Sequence, residues 1–250
     1  MSYNPFTLEG KTILVTGASS GIGQAIAIEC SKMGADVVVT ARDEHRLLKT
    51  KQLMGGGKND PIIAELTNAA DLEKLVDLTP DLDGVVLCAG KALAIPVKQA
   101  SSEKFQDVFA INFYALVELL RQLYKKKKLK KSASVVIISS IGGLYLYEPG
   151  NVTYGTSKAA LNSFMKYAAK EYAARMIRVN SICPGMIETP LIHRGVFTEE
   201  QLQAYMDNYP LKRFGQPEEV AYASVYLLSD AARWVTGTSL VIDGGSTIKS

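Results

Sequence analysis

The sequence predicts a doubly wound α/β domain, with one parallel sheet of seven strands and helices on both faces. Three observations predict it. Short apolar runs alternate with amphipathic segments from Lys11 onward, and that alternation builds a parallel sheet through right-handed crossovers. A glycine-rich turn joins the first strand to the first helix. No linker, charge boundary or internal repeat divides the 250 residues, so residues 1–250 are expected to form a single domain.

The candidate strands are Thr12–Thr16, Asp36–Ala41, Ile62–Leu66, Gly84–Cys88, Ala133–Ser139, Ile177–Ile182 and Ser239–Ile242. They are rich in Val and Ile, as strands covered on both faces are. Helical periodicity marks segments near 21–33, 43–54, 68–78, 102–124, 154–175 and 217–228.

Composition excludes several classes of function. With 47% apolar and 21% charged residues, the chain is ordinary globular protein. Its net charge of +3 would become −3 without the six lysines between Lys125 and Lys131, so no basic face for nucleic acid is expected. Cys30, Cys88 and Cys183 stand far apart in apolar surroundings and read as reduced thiols, with no metal-ligand spacing. No basic leader and no membrane-length apolar run is seen, so a cytoplasmic protein is expected.

The first crossover reads Thr16-Gly-Ala-Ser-Ser-Gly-Ile-Gly23. Gly17, Gly21 and Gly23 allow a tight turn and let a pyrophosphate approach main-chain N–H groups at a helix N-terminus, with Ser19, Ser20 and Ile22 between them. The second strand ends at Ala41-Arg42, without the carboxylate that would hold the ribose hydroxyls of NAD. Arg42 suits the 2′-phosphate of NADP instead, and Asp43 is placed to cap the next helix.

Small residues, Cys88-Ala89-Gly90, end the fourth strand and allow close cofactor approach. Asn112 interrupts an apolar helical stripe and needs a hydrogen-bond partner. The Lys125–Lys131 run reads as the solvated end of that helix, or alternatively as a docking patch for an acidic partner. A buried strand then leads to Ser139 and Ser140, followed by Tyr154 and Lys158 on a helix. Four residues apart, Tyr154 and Lys158 share a face, where an ammonium is expected to pull the phenol pKa down from about 10. After Cys183-Pro184-Gly185, residues 186–214 read as a short helical lid containing His193, Arg194, Tyr205 and Tyr209.

On these motifs the chain resembles the short-chain dehydrogenase/reductase family over nearly its full length. The resemblance implies a Rossmann-type fold and an oxidoreductase using NADP(H). Asn112, Ser140, Tyr154 and Lys158 match the catalytic tetrad, with Ser140 preferred over Ser139 because Gly143 completes the family's Ser-x-x-Gly pattern. By the same resemblance, Lys158 also holds the nicotinamide ribose and Asn112 a relay water. Gly17, Ser19, Ser20, Gly21, Ile22, Gly23, Arg42, Leu66, Cys88, Ala89 and Gly90 fall at cofactor positions. So do Pro184, Gly185, Ile187 and Thr189, at the nicotinamide carboxamide. Cys88 departs from the family's Asn, and Glu65 from its Asp near adenine.

The expected reaction is hydride transfer to a ketone, reversibly oxidising a secondary alcohol. Candidate substrates are a 3-oxoacyl thioester on acyl carrier protein, with the Lys125–Lys131 run and Arg175 near the mouth, or a steroid, sugar or small cyclic ketone. A homotetramer pairing helices 102–124 and 154–175 is also implied. An NADP(H)-binding sensor without turnover is the reading from a different class, and the complete tetrad weighs against it.

Overall fold

In the computed structural model, residues 4–55, 58, 61–190, 192 and 198–248 are described. In chain order the elements are β1 (Thr12–Thr16), α1 (Gly21–Lys32), β2 (Asp36–Ala41), α2 (Glu44–Leu53), β3 (Ile62–Ile63), α3 (Ala69–Leu78) and β4 (Leu82–Leu87). There follow α4 (Ser102–Phe109), α5 (Ala115–Lys125), β5 (Leu129–Ile138), α6 (Val152–Tyr172), β6 (Arg178–Pro184), α7 (Glu199–Asp207), α8 (Pro217–Leu228) and β7 (Ser239–Ile242). The seven strands are parallel and ordered β3-β2-β1-β4-β5-β6-β7. Strand order reverses between β1 and β4, and in such sheets ligands bind outside the carboxyl ends at that crevice.

Alternate residues of each strand face opposite layers, which fixes which helix each one meets. Leu14 joins Leu75, Leu116 and Leu161 in the core beneath α3, α5 and α6. Its neighbours Ile13 and Val15 pack with Ile26, Leu47 and Val225 beneath α1, α2 and α8. The predicted doubly wound architecture is therefore present. No helix among the described residues is long and apolar enough to cross a membrane.

Apart from shifts of one to three residues at other element ends, as in β4, β6 and α6, three boundaries differ from the sequence expectation, each for a local reason. Strand β3 pairs only Ile62 and Ile63 with Thr40 and Ala41, because β2 ends there; the Glu65 N–H turns to the Asp71 carboxylate (2.9 Å) instead. Strand β5 starts at Leu129, not Ala133. Its first residues bulge away from β4 between the Leu82–Leu129 and Gly84–Ser134 pairs, with Ser132 in the left-handed region (φ 66°). The helix expected over 102–124 is interrupted by a π-helical turn, Ala110–Tyr114, that carries Asn112.

Candidate active site

The turn after β1 is built for close approach. Gly17 and Gly21 take positive φ (66° and 54°), which an L side chain resists. A Cβ on Gly17 would meet the Ala89 Cα at 2.9 Å, and one on Gly23 would lie 2.4 Å from the Gly17 carbonyl oxygen. Loop, helix and the end of β4 can therefore touch only because these residues are glycine. Ser20 is the N-cap of α1 in extended backbone, with no side-chain cap bond, and the first turn carries no acidic residue. Those main-chain donors and the positive helix end suit a pyrophosphate.

From the far side, Thr189 closes on this turn: a Cβ on Gly21 would be 3.2 Å from its γ-methyl carbon. Pro184, Gly185 and Ile187 lead to it from the carboxyl end of β6, with Ile187 buried and bridged to Gly215. Leu66 is buried after β3. Ser19, Ser20 and Ile22 stay partly exposed along the turn. The residues present thus fit a dinucleotide.

Sequence reasoning missed Thr16. Its hydroxyl accepts the N–H groups of Cys88 (2.9 Å) and Ala89 (3.2 Å) and donates to the Val86 carbonyl (3.3 Å), pinning the end of β4 beside the glycine turn. A threonine ending a buried strand, with no apolar role there, was the available signal.

The four tetrad positions converge. Ser140 follows β5 and caps the short 3-10 turn Ile141–Gly143, accepting the Gly142 N–H (3.1 Å). That turn presses against α6: a Cβ on Gly143 would meet the Ala159 nitrogen and the Lys158 carbonyl carbon at 2.7 Å. The contact brings Tyr154 to the side of Ser140, whose hydroxyl is close enough to favour the ionised phenol. Ser139 points elsewhere, donating to the Lys158 carbonyl (3.1 Å). Asn112 is fully buried. Its Oδ1 accepts the Lys91 N–H (2.8 Å), while Nδ2 donates to the Lys91 carbonyl (2.9 Å) and the Ser157 hydroxyl (3.0 Å). These bonds engage both ends of its side-chain amide with protein partners. Gly90 lies between the last two members: a Cβ there would be 3.0 Å from Asn112 Oδ1 and 3.6 Å from Lys158 Nζ.

The electrostatics depart from expectation at one point. Burial pushes the Tyr154 phenol up to about 12 despite the opposing bond from Ser140. Burial likewise brings the Lys158 ammonium down to about 8. The ammonium donates to the Ile138 carbonyl (2.8 Å) and sits over the phenol ring, 5.6 Å from its centroid. Desolvation thus sets the direction at Tyr154, opposite to the expected downward pull, and the cation faces the ring and a carbonyl. Cys88 occupies the same enclosure, its thiol raised to about 11 by burial against the pull of Lys158.

The periphery brings two further findings. Arg42 reaches the Glu65 carboxylate (3.3 Å), and Asp43 caps α2 through the Arg46 N–H. Lys126 pairs with Asp77, Lys130 with Asp83, and Lys128 donates to the Thr79 carbonyl. Strand β5 is ten residues long, so its lysine-bearing start lies about 30 Å from Ser140, at the opposite end of the sheet. Arg175 joins that end, donating to the Leu129 carbonyl (2.6 Å). The Lys125–Lys131 run and Arg175 therefore do not line the mouth of their own chain's site. Of the expected lid, α7 is helical and a small core of Ile192, Leu202, Tyr209 and Phe214 packs beneath it. His193 and Arg194 lie outside the described residues.

Comparison with known proteins agrees with this geometry. The family model described as Enoyl-(Acyl carrier protein) reductase matches residues 17–247. The chain is 37% identical over 244 residues to a 3-oxoacyl-(acyl-carrier-protein) reductase FabG of Rickettsia prowazekii, covering 95% of this chain and 97% of that one. It is 30% identical to a glucose 1-dehydrogenase of Gluconobacter oxydans, covering 96% and 92%. Among solved structures, a short-chain type dehydrogenase/reductase from Mycobacterium marinum superposes with a TM-score of 0.91 at 30% identity, covering 98% of each chain. The chain belongs to the short-chain dehydrogenase/reductase family of oxidoreductases.

Proposed function

We propose that the protein is an NADPH-dependent carbonyl reductase, reversible as a secondary-alcohol dehydrogenase, and that its substrate is a 3-oxoacyl thioester. The observation that carries the reaction is the meeting of Ser140, Tyr154, Lys158 and Asn112 beside Gly90, next to a glycine turn suited to a pyrophosphate. Relatives named as 3-oxoacyl-(acyl-carrier-protein) reductases support the substrate class.

Bound nicotinamide would supply the hydride to the carbonyl carbon. The chain's own residues handle the oxygen. Tyr154 holds its proton at neutral pH, the state a general acid needs, and gives it to the substrate oxygen as charge develops there. Ser140, beside the phenol, donates to the same substrate oxygen and fixes its position. Lys158 supplies positive charge beside Tyr154, favouring loss of the phenolic proton, and its ammonium would reach the nicotinamide ribose. Asn112 anchors the Lys91 backbone and, through Ser157, the first turns of α6. Arg42 is assigned to the 2′-phosphate, and residues 186–214 to a lid over the strand ends.

A second reading, a sugar, steroid or small cyclic ketone, rests on Tyr145 and Tyr147, 58% and 81% exposed in the loop after Ser140, and on the glucose 1-dehydrogenase relative. NADPH consumption measured with a short 3-oxoacyl thioester beside a panel of sugars and cyclic ketones separates the two. Turnover of the thioester alone supports the first; turnover confined to the sugars or ketones replaces it. We also assign a cytoplasmic homotetramer. Tyr114, exposed at the end of the π turn before α5, and Tyr167, exposed on α6, support the association, and light scattering tests it.

A further inference from the structure

We infer that Glu65 is a specificity-determining residue that acts through Arg42, holding back the preference for a 2′-phosphorylated coenzyme. The inference rests on the reading of Arg42 given above. Arg42 follows β2 and Glu65 follows β3, the neighbouring parallel strand, so their side chains meet across two strand ends at 3.3 Å.

The two partners are not equally constrained. The Glu65 backbone N–H is fixed on Asp71 (2.9 Å), and its Oε1 accepts the Thr67 hydroxyl (3.0 Å) and amide (3.4 Å). Burial opposes ionisation of this carboxyl, but the bonds from Thr67 and Arg42 outweigh it and leave it below the usual carboxylate range. The Arg42 side chain is 80% exposed and takes its orientation from that fixed anion. Arg46, the next guanidinium along the chain, is already tied to Asp43 (2.7 Å).

A carboxylate in this position has two effects on an incoming phosphate dianion. It occupies part of the Arg42 donor fork, which must be released or shared before bidentate contact. It also places a negative charge where the phosphate brings two more. Neither effect touches a coenzyme whose ribose carries a plain hydroxyl. Glu65 thus moderates selectivity without being required for dinucleotide binding.

The test is equilibrium binding of NADPH and NADH, followed by nicotinamide fluorescence, to the wild-type chain, Glu65→Gln, Arg42→Ala and the double variant. Glu65→Gln is expected to tighten NADPH about three- to tenfold, the scale of an exposed ion pair plus one nearby charge, with NADH within twofold. In the Arg42→Ala background the same change is expected to move the ratio less than about twofold. A Glu65→Gln shift that is equal for both coenzymes, or undiminished without Arg42, overturns the inference. If Arg42→Ala lowers the ratio while Glu65→Gln leaves it unmoved, the inference falls and the NADPH reading stands. If Arg42→Ala leaves the ratio unmoved, both fall. Should the glutamine variant fail to fold, Glu65→Asp keeps the charge but withdraws it from Arg42. A smaller gain in NADPH binding then supports the inference, and no gain overturns it.

Discussion

Lys158 and Tyr154 lie one helical turn apart, yet the ammonium spends its hydrogen bond on the Ile138 carbonyl and faces the phenol ring, 5.6 Å from its centroid. Both groups carry the cost of enclosure: the phenol moves up to about 12 and the ammonium down to about 8. At neutral pH the phenol is uncharged with or without the fold, so it is Lys158 that gives up stability for chemistry, and the consequence is measurable.

Lys158→Met should abolish reduction and raise the melting temperature at pH 7. The charged form of Lys158 is disfavoured in the fold, so below about pH 8 its presence is a cost. A depression from 10.5 to about 8 corresponds to roughly 3 kcal/mol, and losing the bond to Ile138 returns about 1, leaving a gain of roughly 2 kcal/mol. Between pH 8 and 10.5 the unfolded chain holds more protons at this site than the folded one, so wild-type stability rises there relative to the variant. Melting curves of both proteins at pH 7 and pH 10 check this. The advantage of the variant should shrink at the higher pH.

Activity should follow the same group in the opposite sense. If the cation is needed, the reduction rate falls as pH rises through about 8, where Lys158 loses its proton. Tyr154, near 12, stays protonated throughout that range. A pH profile of kcat/KM taken between pH 6 and 10 reads the free enzyme's group directly, and a flat profile would remove Lys158 from the role of obligatory cation.

Gly143→Ala should damage both stability and turnover. The new methyl would lie 2.7 Å from backbone atoms of Lys158 and Ala159, which cannot swing aside as a side chain can. Overpacking of this kind costs about 1–3 kcal/mol and would move the Ser140 turn away from Tyr154. Urea denaturation and kcat, measured on the same preparation, should both fall.

The apolar runs made most strands and helices legible, because burial on both faces leaves an unbroken Val and Ile signature. The glycine turn was plain from its place between strand and helix, whereas the choice of Asn112, Ser140, Tyr154 and Lys158 rested on the family resemblance, because spacing alone marks only that Tyr154 and Lys158 share a helix face. What stayed hidden depends on contacts between distant segments. The π turn around Asn112 is set by the Lys91 backbone and Ser157, and no local propensity announces it. The lysine run looked like one patch, but a helix end, a turn and a bulged strand divide it, and Asp77 and Asp83 partner two of its members. The direction of the Tyr154 shift was misread because spacing shows that a cation is near, not which atom it faces.

Ser157→Ala offers a milder test of that hidden network. It leaves the buried Asn112 Nδ2 with the Lys91 carbonyl alone and removes the bond from Ser157 to the Tyr154 carbonyl (2.7 Å). A loss of about 1–2 kcal/mol in unfolding free energy is expected. Wild-type stability would show that the two bonds contribute nothing net.

The most direct measurement is single-turnover reduction of a ketone by the Tyr154→Phe variant, with NADPH binding measured in parallel. The expected result is coenzyme binding within about threefold of wild type and a reduction rate lower by at least a hundredfold, or roughly 2.7 kcal/mol of lost transition-state stabilisation. Reduction that survives within about tenfold would contradict the assignment of Tyr154 as the proton donor.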